Sequence, residues 1–145
     1  RDAQESRGLG DVYKRQIWTL YSSNRIGTAL VSLGIILSIW LSLRIAAATR
    51  ASDETNLLGK ILSSAFGLVV LTFSWGQYTI AQNIRVATAQ ALSNAKESGA
   101  ELSQVGEGFI ANIGTDFTTT PIPLGIIFLV VTGAIILGQI WLPKQ

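Results

Sequence analysis

The chain has 145 residues, of which 14 % are charged and 48 % are hydrophobic, and its mean hydropathy is +0.40. Soluble domains carry about 25 % charged residues, so this much apolar surface indicates a chain that lies in lipid. The sequence has no His and no Cys, which excludes disulfides, His- or Cys-based catalysis and the usual ligands of zinc, haem and iron–sulfur centres. A net charge of only +2 gives no support for nucleic-acid binding, and we expect neither a metal nor a cofactor.

The first sixteen residues differ from the rest of the chain, because they hold seven of its twenty charges and have no apolar periodicity. The run from Asp11 to Gln16 resembles the in-frame translation of a transposase adaptor used in sequencing libraries. We therefore expect residues 1–16 to be a disordered, dispensable assembly artefact, attached to a metagenomic fragment whose natural part starts near Ile17. The alternative is a short polar tail that precedes a membrane segment.

Three intervals without a charged residue are long enough to cross a bilayer. They hold 18, 24 and 27 residues and lie between Arg25 and Arg44, between Lys60 and Arg85, and between Asp116 and Lys144. A helix needs about 20 mostly apolar residues to cross a hydrocarbon core of about 30 Å. The sequence therefore predicts an all-α integral membrane protein, in which residues 17–145 form a single membrane domain with transmembrane helices at about 24–49, 58–82 and 123–142.

Small residues recur every four positions in the first predicted span, at Gly34, Ser38, Ser42 and Ala46. Residues at this spacing share one side of a helix. Small side chains there let a second backbone approach closely, which is how helices associate in lipid. We therefore expect this side to contact another helix, although Gly, Ala and Ser are also simply common in membrane helices.

A turn at residues 51–55 joins the first two spans. Ser52 is the predicted N-cap of the second helix, and Asp53 and Glu54 would lie in its first turn, where the helix dipole favours carboxylates. No further ligand accompanies these two acids, so a metal site is not expected there.

The second span repeats the four-residue spacing with Gly59, Ser63 and Gly67, which we expect to meet the small side of the first span. Nothing interrupts the helical pattern until Ser98. A helix of about 40 residues is about 60 Å long, twice the thickness of the membrane, so this one leaves the bilayer or bends.

Four polar residues in or near the spans need hydrogen-bond partners, and they are Gln77, Tyr78, Gln82 and Gln139. A side-chain amide in lipid is usually satisfied by a hydrogen bond to a neighbouring helix. The alternative is that these four side chains line a polar conduit.

The predicted extramembrane part, residues 83–122, lies between the second and third spans. Leu102, Val105, Phe109 and Ile113 have the spacing of the apolar side of a helix. Glycines within this segment weaken it as a free-standing helix, so it needs a surface to lie on. We expect that surface to be the extended second helix, which would make a platform for a partner; the bilayer interface is the alternative.

The third predicted span contains one small pair, Ala134 and Gly138, and reaches the far interface at Trp141. Basic residues favour the cytoplasmic side of a membrane. If the first turn and the C-terminus lie on the cytoplasmic side, that side holds four of the Lys and Arg residues of the range 17–145, and the other side holds three. We therefore expect a cytoplasmic hairpin.

The motifs of common enzymes are missing from the sequence, and no ionisable residue lies near the centre of a predicted span. We therefore expect a non-enzymatic structural or accessory subunit, or the C-terminal membrane fragment of one, in the bacterial inner membrane. Its expected partners are the lipid bilayer and either another membrane protein or a second copy of the chain. The alternative is a part of a channel or transporter, and a membrane-bound enzyme has the least support.

Overall fold

The computed structural model describes residues 2–53 and 55–143, with side chains described from residue 10 onward. The described residues form four α-helices and no strand, and the helices are α1 (Asp2–Ala51), α2 (Leu57–Glu97), α3 (Gln104–Ile113) and α4 (Pro123–Trp141). Within these residues, three helices, α1, α2 and α4, are long and apolar enough to cross a membrane. The protein therefore has the all-α membrane fold that the sequence predicts.

One of the three long helices matches the thickness of the bilayer core, and the other two exceed it. α4 has 19 residues, or about 28 Å at 1.5 Å per residue, which matches a hydrocarbon core of about 30 Å. α1 has 50 residues and α2 has 41, or about 75 Å and about 60 Å. Both helices therefore continue beyond the length that a membrane crossing needs, and the predicted extension between the second and third spans is helical.

Residues 2–16 continue α1 as a helix, whereas we expected them to be disordered. An existing helix is extended at little cost because nucleation is its expensive step, and no proline interrupts this stretch. Lys14 forms an ion pair with Asp11 at 2.7 Å and donates a hydrogen bond to the carbonyl oxygen of Glu101 at 2.8 Å. The adaptor origin of the segment and its dispensability stay predictions.

The turn between α1 and α2 has a different cap from the predicted one. The side chain of Asn56 accepts a hydrogen bond from the backbone N–H of Gly59 at 2.9 Å, and α2 begins at Leu57. Asn is as favourable an N-cap as Ser. Ser52 instead ends α1, since its backbone N–H donates to the carbonyl of Ala48. The prediction of Ser52 as the cap is therefore wrong, Asp53 lies outside the first turn of α2, and Glu54 is outside the described residues.

The chain divides into two compact units, and α1 and α2 contribute to both. Unit 1 comprises Arg1–Thr28 and Ile80–Thr119, and it contains α3. Unit 2 comprises Ala29–Thr79 and Thr120–Gln145, and it contains α4.

Unit 2 has a small apolar core in which its three helices meet. One cluster joins α1 to α2 through Ile35, Ile39 and Val70, and a second joins α1 to α4 through Ala46, Ile136 and Ile140. Most of the large apolar side chains in this unit are nevertheless exposed, among them Leu30, Trp40, Val69, Phe73 and Val130. A helix bundle with a narrow core and an apolar exterior is the arrangement that a lipid environment requires.

Unit 1 has its own core, in which Ile17, Val86, Ala89 and Leu92 are buried. α3 is capped at its start by Ser103, whose side chain accepts from the backbone N–H of Gly106. An ion pair of 2.7 Å between Lys96 and Glu107 joins α3 to the end of α2.

Candidate functional site

The predicted contact between the first two spans is present in unit 2. α1 and α2 run antiparallel, and the hydroxyl groups of Thr49 and Ser63 lie 2.7 Å apart between them. Ser42 and Ala46 are buried on the same side of α1, with exposed fractions of 2 % and 0 %. Three of the predicted packing residues, Ser42, Ala46 and Ser63, therefore lie in the interior of this unit or at a contact between helices.

α2 and α4 approach each other closely at Gly67, another predicted packing residue. A Cβ atom at this position would lie 2.8 Å from Cγ2 of Ile136, a distance too short for two carbon atoms. Four residues along α2, Leu71 lies against Gly133 of α4, where a Cβ would be 3.0 Å from the Leu71 Cδ1. Each helix thus places a branched apolar side chain over a glycine of the other.

The predicted small pair of the third span lies elsewhere. Ala134 is exposed, and the atom nearest to a Cβ at Gly138 would belong to Leu142, one turn further along the same helix. The small residue that meets α2 is Gly133, which the sequence analysis did not single out. A rotation of about 100° per residue about the helix axis separates these neighbouring positions, and four-residue spacing alone does not fix which of them faces a partner.

The three remaining predicted packing residues, Gly34, Ser38 and Gly59, are exposed or contact neighbours in their own stretch of chain. A Cβ atom at Gly34 would have nothing within 4 Å among the described residues, and Gly34 is exposed. Ser38 is half-buried and donates its hydroxyl to the carbonyl of Gly34. A Cβ at Gly59 would meet Thr55 and Asn56 of the turn that precedes α2.

Of the four candidate lining residues, three lie close together on one stretch of α2, and Gln139 lies on α4, far from Tyr78. Tyr78 packs against the cluster of Ile35, Ile39 and Val70, and a Cβ at Gly125 would lie 3.7 Å from its ring. Gln139 is 14 residues beyond Gly125 on α4, or about 21 Å along the helix. Gln77 is half-buried in unit 2, and Gln82 belongs to unit 1.

Gln139 has an unusual environment for an amide. Its Oε1 atom is buried and has no hydrogen-bond partner within the part of the chain that the structure describes. A buried polar atom without a partner costs about 1–3 kcal/mol. The helix–helix hydrogen bond expected for this oxygen is therefore not made inside unit 2.

The hydroxyl groups of unit 2 are satisfied by their own helices. Each of the following side chains donates to the carbonyl four residues earlier, namely Ser42, Ser63, Ser64, Thr72, Ser74 and Thr132. This is the common arrangement for Ser and Thr in membrane helices. These six hydroxyl donors are therefore engaged within their own helices.

The amphipathic segment of unit 1 contacts α1 as well as the expected second helix. The ring of Phe109 makes edge-on contacts with Trp18 and Tyr21 of α1, at centroid distances of 5.6 and 5.4 Å. Val105, which the spacing placed on the same side, is 73 % exposed. An ion pair of Lys96 and Glu107 joins α3 to α2. Edge-on pairs of this kind add about 0.5–1.5 kcal/mol to the burial of the rings.

One further contact of unit 1 was not expected from the sequence. The side chain of Asn83 donates to the carbonyl of Thr118 at 2.9 Å and accepts from the N–H of the same residue at 3.0 Å. This pair of bonds fixes the segment after α3 to α2. An Asn in a polar helical stretch carries no signal of such a distant partner, because the two residues are 35 positions apart.

Neither a metal site nor a similar protein points to a function for the described residues. No three Asp or Glu side chains in the described ranges lie close enough together to hold a metal ion. The chain matches no protein-family model, no curated protein and no solved structure.

Proposed function

We propose that the protein is a non-enzymatic structural or accessory subunit whose α1 packs against a helix of another membrane protein. The observation that carries this proposal is the open surface at Gly34, where a Cβ would meet no other described residue within 4 Å. Glycine within a helix costs about 1 kcal/mol relative to alanine and gains nothing from packing here. A helix from outside the chain would supply the missing contact, as small residues do between membrane helices.

The proposed location is the bacterial inner membrane. The described residues that can cross a membrane are helices, whereas outer-membrane proteins of bacteria cross as closed β-barrels. The proposed orientation places the turn between α1 and α2 on the cytoplasmic side, because that side then holds four of the basic residues of residues 17–145 against three on the other side.

Photo-crosslinking in membranes of cells that produce the full chain tests the proposal. A photoreactive residue at Leu37, one turn from Gly34 and 64 % exposed, is expected to give one adduct of defined mass. The same residue at Val69, which is 66 % exposed on α2, serves as the control for random collision. An adduct with twice the chain mass of 15.6 kDa would identify a second copy as the partner.

Blocking the surface completes this experiment. Gly34→Leu is expected to abolish the adduct. Gly76→Leu, at a half-buried position of α2 where a Cβ would also meet nothing within 4 Å, is expected to leave it intact. Equal labelling at Leu37 and Val69, or an adduct that survives Gly34→Leu, would contradict a specific contact at this surface.

The second candidate function is a part of a channel or transporter, and the unpartnered Oε1 of Gln139 favours it. Water in a polar path would provide the missing hydrogen bond. Flux of a small ion into liposomes that contain the purified chain, above that of empty liposomes and reduced by Gln139→Leu, would support this function. Flux equal to that of empty liposomes would exclude it for the chain alone.

A further inference from the structure

The charged residues of unit 2 are confined to a small part of its sequence. They are Arg44, Arg50, Asp53, Glu54, Lys60 and Lys144, and the rest of residues 29–79 and 120–145 is uncharged. Basic residues outnumber acidic ones by four to two in this set. The charged residues of unit 2 therefore lie near the end of α1, in the turn, at the start of α2 and after α4.

Contacts within unit 2 bring these three chain segments together. Arg50 donates from Nη2 to the carbonyl oxygen of Pro143 at 3.3 Å. The Nζ atom of Lys60 lies 5.7 Å from the centroid of the Trp141 ring, and the indole N–H of that ring donates to Ser64 at 2.9 Å. Two cations thus contact the end of α4 and the residues after it, Lys60 at the Trp141 ring and Arg50 at Pro143.

The length of α4 indicates the depth at which Arg50, Lys60 and Trp141 lie in the bilayer. The helix ends at Trp141, and its length of about 28 Å matches the hydrocarbon core, so Trp141 lies at the boundary with the headgroups. Tryptophan is enriched at that level because its ring is apolar and its N–H is polar. Arg50 and Lys60, which contact the same end of α4, then reach the layer of lipid phosphates.

Both cations retain capacity to bind an anion. No described carboxylate lies within 4.0 Å of Arg50 or Lys60, and both side chains are partly exposed. The carbonyl of Pro143 engages one N–H of the Arg50 guanidinium, which carries five donors. A lipid phosphate is the anion present at this level of a bilayer.

We propose that Arg50, Lys60 and Trp141 form a binding site for the phosphate of an anionic phospholipid at the hairpin end of unit 2. The two cations bind the phosphate oxygens, and the indole ring lies against the glycerol region. This site is separate from the open surface at Gly34, and it depends only on the location of the chain in a membrane. It would select anionic lipids for the leaflet that contains the turn between α1 and α2.

Native mass spectrometry of the full chain, purified in detergent, tests the site. With equal amounts of phosphatidylglycerol and phosphatidylcholine added, the wild-type chain is expected to retain phosphatidylglycerol preferentially. The double variant Arg50→Gln with Lys60→Gln is expected to lower this preference by about 25-fold, because each cation near an anionic surface contributes about fivefold in affinity. The exchange Arg50→Lys with Lys60→Arg preserves both charges and is expected to keep most of the preference for phosphatidylglycerol. Comparing the two double variants separates the effect of lost charge from the effect of a damaged fold.

A matched control removes the same number of positive charges from unit 1. Arg25→Gln with Arg85→Gln, both in unit 1, is expected to leave the preference unchanged. An equal loss in this control, or an unchanged preference in the Arg50 and Lys60 double variant, would overturn the proposal. Displacement of the lipid by excess glycerol phosphate would also overturn it, because it would identify a site for a free anion.

Discussion

The approach of α2 and α4 in unit 2 depends on two glycines that are not equivalent. At Gly67 the obstructing atom is Cγ2 of Ile136, which is attached to the branched Cβ and moves only with the backbone or with χ1. At Gly133 it is the Cδ1 of Leu71, the far end of a flexible side chain. A methyl group is therefore more costly at Gly67.

We predict that Gly67→Ala lowers the free energy of unfolding by about 1–3 kcal/mol, the usual cost of overpacking. Gly133→Ala is expected to change it by less than about 1 kcal/mol, because Leu71 can move. Gly76→Ala, at an open position of the same helix, is the control and is expected to stabilise by up to about 1 kcal/mol through helix propensity. Denaturation in detergent followed by circular dichroism measures all three.

A double variant shows whether Ile136 is the cause. Ile136→Ala removes the atom that a Cβ at Gly67 would meet, so the two substitutions are expected to couple by at least about 0.5 kcal/mol. Additive effects would mean that Gly67→Ala acts through something other than this contact.

A second prediction at the scale of one residue concerns Asn83. Asn83→Ala removes both hydrogen bonds to Thr118 and is expected to destabilise unit 1 by about 1–3 kcal/mol. The amide of Thr118, which donates to Asn83, is expected to exchange its hydrogen faster. Asn94→Ala, at an exposed position of α2, is the control. Unchanged exchange at Thr118 in the Asn83 variant would argue against this pair of bonds.

At the scale of elements, the start of the second helix and both ends of the third span lie within one residue of the positions expected from the sequence, whereas α1 begins well before residue 24. The third span was expected at 123–142 and α4 is Pro123–Trp141, while the second was expected to begin at 58 and α2 begins at Leu57. Charges, prolines and long apolar intervals are local signals, and they fix where a helix can cross lipid.

The contacts between elements were less predictable, because they depend on rotation about each helix axis. Gly67 was expected at a contact and lies at one, but its partner helix is α4, and Gly133 takes the place expected for Ala134. In unit 1, Phe109 lies against α1, although the spacing that identified it carried no information on its partner. A periodic pattern identifies an apolar side of a helix and leaves open what covers it.

The aromatic contacts of α3 lead to a prediction for the whole element. Phe109→Asp is expected to release α3 from Trp18 and Tyr21 without disturbing membrane insertion. Added protease should then cleave residues 98–120 at least several-fold faster. Val105→Asp changes an exposed residue of the same helix and is expected to leave the cleavage rate unchanged. If residues 98–120 are already fully cleaved in the wild-type chain, α3 forms no platform.

At the scale of the whole molecule, the absence of Cys from the sequence permits a direct test of orientation. Ser52→Cys in the turn after α1 and Ser98→Cys after α2 each introduce a single thiol. With α2 crossing the bilayer, we predict that a membrane-impermeant maleimide added to intact cells labels Ser98→Cys and spares Ser52→Cys. The reverse pattern would place the hairpin outside, and equal labelling would contradict a crossing by α2.

The N-terminal segment gives the last prediction. Deleting residues 1–16 is expected to leave the fraction of the chain that resists carbonate extraction unchanged, because the apolar windows all lie beyond them. The deletion also removes the hydrogen bond from Lys14 to Glu101, which the single substitution Lys14→Ala removes alone. A marked loss of insertion in the deletion, with none in Lys14→Ala, would show that the segment contributes more than this bond.

The turn between α1 and α2 has a consequence for the synthesis of the protein. Five residues separate the two helices, so they can pair as soon as both have left the ribosome. Ile136 of α4, which lies over Gly67, is made 69 residues after Gly67, or about 3–14 s later at about 5–20 residues per second. For that time the groove at Gly67 faces the translocation machinery or lipid, and a competing helix that enters it would delay assembly of the bundle.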